Sequence, residues 1–118
     1  MGRLHNLRAA DAARLLVAEV LAAVETFPTK DPAGLRKQLS ESANCVGANI
    51  SEGYGRGTKG ETLHHLRIAR GSLEEMQHHW KVARRVGFID DKTYHSVANK
   101  AIALERMISG LMRRTEAR

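Results

Sequence analysis

Apolar residues recur every three or four positions along four stretches of this chain, and nowhere do they alternate as a half-buried strand requires. From about residue 6 to residue 27, Ala9, Ala13, Leu16, Val20, Ala23, Val24 and Phe27 fall on one side of a helix. Phe27-Pro28-Thr29-Lys30 interrupts that pattern, because proline disfavours helical geometry in the residue before it. Asp31-Pro32 predicts a restart, with Asp31 as N-cap and Pro32 at the first helical position, over about 32–53. Leu35, Leu39, Ala43, Val46 and Ile50 carry its stripe, and Gly53, Gly55 and Gly57 end it. Thr58-Lys59-Gly60-Glu61 reads as a capping box opening a third helix over about 59–86, striped by Leu63, Leu66, Ala69, Leu73, Met76, Trp80 and Ala83. Gly87 suits the position just past its end, with Phe88 and Ile89 folding back as an apolar plug. Asp90 caps a fourth helix over about 91–113, striped by Val97, Ala101, Leu104, Met107, Ile108 and Leu111, before a polar tail. Short breaks force successive helices to reverse direction. The expected fold is all-α, an up-down-up-down antiparallel four-helix bundle forming a single domain over residues 1–118, with no internal repeat or linker.

Some apolar residues fall off these stripes. Leu21, Ile68 and Ile102, with Ala10, Ala18 and Ala98, are placed on outward faces by helical rotation, which predicts a subunit interface. Ser42, Ala43, Gly47 and Ala48 thin the second helix, so that a neighbour can approach it closely. Gln38, Ser42, Cys45, Asn49 and Glu52 form a polar strip beside its apolar stripe. Such a strip can fix register between helices or subunits. The plainer expectation is that Asn49 and Glu52 bond to backbone at the turn. Glu52 has no acid, base or nucleophile at useful spacing, which argues against a catalytic role.

Charge then narrows the choice of partner. A formal net charge of +6 and a pI near 10.0 favour an anionic partner or simply confer solubility. Aromatics are only 4% of residues, which disfavours extended stacking platforms for single strands. The lone Cys45 cannot form an internal disulfide, which suits a reducing, cytoplasmic setting. No apolar run suits a membrane span or a signal peptide.

Candidate chemistry is sparse. Gly53-Tyr54-Gly55-Arg56-Gly57-Thr58-Lys59-Gly60 fails as a nucleotide-binding loop: its lysine does not precede Ser or Thr after a strand, and it follows a helix. Its glycines and its Arg56 and Lys59 charges could still hold a phosphate, although turn geometry explains the glycines equally well. His64-His65 and His78-His79 are about 21 Å apart along a helix, too far for one metal ion, and no metal or cofactor is expected. Glu61 with His65 and Glu75 with His79 read as helix-surface pairs. Arg67, Arg70, Lys81 and Arg85 share one flank of the third helix, interrupted by Glu74. Between Arg56 and Val86 seven Lys or Arg face three Glu, making this the best surface for phosphate contacts. A solvated face with an Arg70–Glu74 pair is the competing reading.

Leu35, Gln38-Leu39, Val46, Asn49-Ile50, Glu52-Gly53 and Arg56, then Leu66, Ile68-Ala69, Gly71-Ser72-Leu73, Glu75 and Gly87-Phe88-Ile89, resemble a bacterial four-helix-bundle family encoded within intervening sequences of large-subunit ribosomal RNA genes. Asn49, Glu52, Gly53, Gly71 and Ser72 carry the specific part of the pattern. The resemblance implies a non-enzymatic cytosolic bundle assembling into a ring, a homopentamer. It also implies kinship with accessory proteins of diversity-generating retroelements, which are basic pentameric barrels that bind nucleic acid and a reverse transcriptase. Ser40-Glu41 departs from the basic pair that this family often carries after Gln-Leu, and Cys45 from its usual serine.

The reading is a ring-forming, non-enzymatic protein that binds structured RNA or other nucleic acid through Arg56, Lys59, Arg67, Arg70, Lys81 and Arg85, with Leu21, Ile68 and Ile102 between subunits. The alternative is a protein-interaction scaffold whose charge is incidental.

Overall fold

The computed structural model describes residues 2–54 and 57–118. It contains α1 (Gly2–Val24), α2 (Leu35–Tyr54), α3 (Lys59–Arg85) and α4 (Asp91–Glu116), and no strand among the described residues. Each predicted stripe faces inward. Leu16, Val20, Leu39, Val46, Ile50, Leu73, Met76, Trp80, Val97, Leu104 and Ile108 are buried in one apolar core, while Met107 packs half-buried against it.

Helix α1 packs on α2 and α4, and α3 on α2 and α4; no backbone contact joins α1 to α3 or α2 to α4 among the described residues. Cross-helix pairs rise along one helix as they fall along the next. Thr62 bonds Gly53, His65 meets Asn49 and Ser72 meets Cys45 across α2 and α3. Arg84 reaches Asp91, while Lys59 reaches Arg118, across α3 and α4.

The helix ends show where local chemistry governed and where it was overridden. At α3 the Thr58 hydroxyl accepts from the Glu61 N–H at 3.1 Å and is placed 2.9 Å from the Glu61 carboxylate, which accepts its proton. Past its other end, Gly87 at φ +83 allows Phe88 N–H to bond Ala83 and Gly87 N–H to bond Arg84, closing a Schellman motif. The Phe88 ring then packs 5.2 Å from that of Phe27. The Asp90 carboxylate accepts from Thr93 N–H at 2.7 Å.

Four boundaries differ from expectation. Helix α1 begins at Gly2, since nothing before Asn6 stops it. It ends at Val24, because the Thr26 hydroxyl takes the Ala23 carbonyl and the following turn drives Phe27 into the core. Pro32 is not the first residue of α2: Asp31-Pro32-Ala33-Gly34 forms a turn closed by Gly34 N–H on Asp31, with Gly34 at φ +64. The Asp31 carboxylate still caps α2, reaching over that turn to Leu35 and Arg36 N–H. Helix α4 runs on to Glu116, with Met112 and Thr115 buried.

The thin second helix does admit its neighbours. A Cβ on Gly47 would lie 3.5 Å from Val17, and one on Gly53 would lie 3.1 Å from the His65 Cβ. Among the described residues Asn49 bonds within α2 and to α3, not at the turn as expected. Its Nδ2 donates to the Cys45 carbonyl at 2.9 Å and its Oδ1 lies 3.0 Å from His65 Nδ1, while the Ser72 hydroxyl donates to Cys45 Sγ at 3.0 Å. His65 therefore faces α2 instead of pairing with Glu61. Cys45 and Asn49 of the polar strip thus lie in a seam between α2 and α3, bonded to Ser72 and His65.

Candidate nucleic-acid interface

Helix α3 is built to present a long cationic strip. Its buried stripe runs from Thr62 to Ala83, and residues 67, 70, 74, 78, 81 and 85 alternate at spacings of three and four along its outer flank. Arg67, Lys81 and Arg85 are exposed and Arg70 is half-buried. From Arg67 to Arg85 the strip covers about 27 Å, the rise of eighteen helical residues. Among the described residues no ion pair joins Arg70 to Glu74, so the strip's arginines are not held by that acid. Glu75 instead sits 3.7 Å from His79 on the neighbouring flank.

The predicted residues are not gathered at one point. Lys59 stands at the start of α3 and donates to the Arg118 carbonyl at 3.3 Å. Arg67 and Arg70 lie two turns further on. Lys81 and Arg85 line an open cleft of about 720 Å³ with His78, Val82, Arg84 and Tyr94, where the end of α3 meets the start of α4. Arg56 lies outside the described residues.

Sequence reasoning missed Arg84 and Tyr94. The Arg84 guanidinium lies 4.4 Å over the Tyr94 ring and bonds the Asp91 carboxylate through Nε at 3.0 Å and Nη2 at 2.9 Å. Trp80 fixes the same segment by donating its indole N–H to the Tyr94 carbonyl at 3.0 Å. The available signal was the Asp90-Asp91 pair opening α4 close after Arg84-Arg85.

Two carboxyls are held below their ordinary range. Thr93 N–H, bonded to Asp90, does this for Asp90. At Glu19 burial pushes upward, but bonds from Lys100 and Ser96 and the Lys100 charge outweigh it; the Lys100 ammonium is 2.8 Å away. Glu41, of the Ser40-Glu41 pair, lies 3.9 Å from Lys37 and offsets its charge. Among the described residues no three His, Cys, Asp or Glu gather so as to hold a metal ion. No described helix is long and apolar enough to cross a membrane.

Of the expected interface residues, Ile102 is 45% exposed, whereas Leu21 and Ile68 are half-buried. Ala10, expected outward, is buried. The most exposed large apolars are Leu15 at 65% and Leu4 at 59%, and Leu7 on the same helix is also exposed. All three lie opposite the α1 core stripe.

Fold and strip together define a basic all-helical protein with a cationic flank. The chain belongs to the family of 23S rRNA-intervening sequence proteins, whose model matches residues 5–110. Its fold is similar to that of a protein of unknown function from the S23 ribosomal protein family of Bacteroides thetaiotaomicron VPI-5482, at TM-score 0.84 and 16% identity, covering 92% of this chain and 98% of that one. Comparison with curated proteins gives no match.

Proposed function

We propose that this chain is a non-enzymatic, cytoplasmic up-down-up-down antiparallel bundle that assembles into a ring, a homopentamer, and binds structured RNA electrostatically. The observation that carries the reading is the α3 strip, on which exposed Arg67, Lys81 and Arg85 and half-buried Arg70 are spread along about 27 Å. Phosphate contacts of this kind confer affinity and orientation without reading sequence. The names of the family and of the similar structure refer to 23S rRNA and to a ribosomal protein, which makes RNA the anion to try first. The reversed numbering of the cross-helix pairs supports the antiparallel arrangement.

Assembly multiplies the strip. Five copies of a +6 chain carry about +30, and linked weak contacts gain avidity when several engage together. Leu4, Leu7 and Leu15 supply apolar surface for the subunit contacts, and the half-buried Leu21 and Ile68 add to it. Those same leucines favour the second reading, a scaffold for another protein.

The test is fluorescence anisotropy with a structured RNA at low salt, on wild type and on a chain carrying R67A, R70A, K81A and R85A. Binding that drops at least tenfold with unchanged mass in light scattering supports the RNA reading. Unchanged binding, or a partner protein that resists nuclease and tolerates the four substitutions, favours the scaffold.

A further inference from the structure

The cationic cleft shares a wall with a smaller recess that the α3 strip does not explain. Met76, Gln77, Trp80, Ala98, Ala101 and Ile102 line a crevice of about 150 Å³ between α3 and α4. Lys81 and Tyr94 border both this crevice and the larger cleft. A polar mouth and an apolar slot therefore open side by side. An apolar cavity of about 150 Å³ is large enough to take up a benzene-sized ring. Gln77, half-buried, is the one side-chain amide on its wall.

The partition between them is held rigidly. Trp80 bonds the Tyr94 carbonyl, and Arg84 covers the Tyr94 ring while anchored to Asp91. Because Asp91 offsets Arg84, the cations left to face a ligand are Lys81 and Arg85, neither within ion-pair distance of an acid among the described residues. Two of the chain's five aromatic side chains meet at this junction: Trp80 is buried and closes the crevice floor, and Tyr94 is half-buried with Arg84 over its ring.

We propose that this double recess binds a single unpaired nucleotide. The base enters the crevice beside Trp80, Ala98 and Ile102, with the Gln77 amide at its edge, and the phosphate rests on Lys81 and Arg85. The inference rests on the RNA reading and deepens it. The outer strip holds the backbone of a folded RNA, whereas the junction takes a base splayed out from a loop, bulge or end, the form in which RNA bases are accessible to side chains.

Calorimetric titration of the intact assembly with inorganic phosphate, ribose 5-phosphate and uridine 5′-monophosphate tests it. The mononucleotide is expected to bind about tenfold tighter than ribose 5-phosphate, because seating the base in the crevice removes part of its apolar surface from water. A98L, which fills the crevice, should abolish that advantage and leave ribose 5-phosphate affinity unchanged; Q77A serves if A98L fails to fold, and should reduce the advantage. K81A with R85A should weaken all three ligands. Equal affinity for the mononucleotide and ribose 5-phosphate overturns the proposal. So does an A98L chain that loses assembly mass yet keeps the mononucleotide preference, which would give the crevice to a subunit contact. R67A with R70A separates the two readings, since it should weaken structured RNA and spare the mononucleotide. Wild type that binds the mononucleotide but not structured RNA would sink the strip and leave the nucleotide site standing.

Discussion

Gly53 and Gly71 are both glycines within helices, yet their surroundings are opposite. A Cβ at Gly53 would stand 3.1 Å from the His65 Cβ, an atom that moves only with the α3 backbone, whereas one at Gly71 would meet nothing within 4 Å. G53A should therefore force α2 from α3 at the Asn49–His65 contact and cost about 1 kcal/mol or more, strain exceeding the gain in helix propensity. G71A should stabilise the isolated fold by about 0.5–1 kcal/mol, because only propensity changes. Urea denaturation of the two variants checks this; shifts of the same sign would contradict it. The seam beside Gly53 was legible only in part. Residue types and helical spacing reveal that Cys45, Asn49 and Glu52 share a flank. That Asn49 reaches His65, sixteen residues away, follows only from how α2 and α3 are packed.

At the scale of elements, caps made by near neighbours could be read directly. Thr58-Glu61, Asp90-Thr93 and Gly87 act within a few residues, and each bonds as its residue types dictate. The entry to α2 misled because Asp31-Pro32 is equally suited to a cap and to a turn, and Gly34 decides for the turn. The cleft was illegible for a different reason. Arg84 lies on the α4-facing side of its helix, and its ring partner arrives from the next element. Between α1 and α4, Glu19 bonds Lys100, which also donates to Ser96 at 3.0 Å. Glu19 and Asp90 titrate lower in the fold than in the unfolded chain. Their stabilisation is thus complete above the unfolded carboxylate range and is lost as pH falls through the folded values. E19Q should melt below wild type at neutral pH, and the gap should close as pH falls through the lowered Glu19 range. A gap that persists in acid would show that Glu19 acts through packing rather than charge.

The molecule as a whole carries an apolar outer face on α1 and a cationic flank on α3. Leu4, Leu7 and Leu15 went unrecognised as candidate contacts because the inward stripe of α1 begins only at Ala9, and attention to that stripe hides the face behind it. In the proposed ring these leucines bring copies together and the strips then act in concert. A chain carrying L4K and L15K should sediment as smaller species and bind structured RNA more weakly, with the α3 strip intact; undiminished mass would remove α1 from the interface.

The central claim is that phosphate neutralisation by the α3 strip drives binding, and the dependence of RNA affinity on salt concentration tests it most directly. The logarithm of affinity should fall linearly with the logarithm of salt, and R67A with R70A should reduce the magnitude of that slope by about 1.5 for each protomer in contact. Affinity that is flat in salt, or a slope that the two substitutions leave unchanged, would contradict the account.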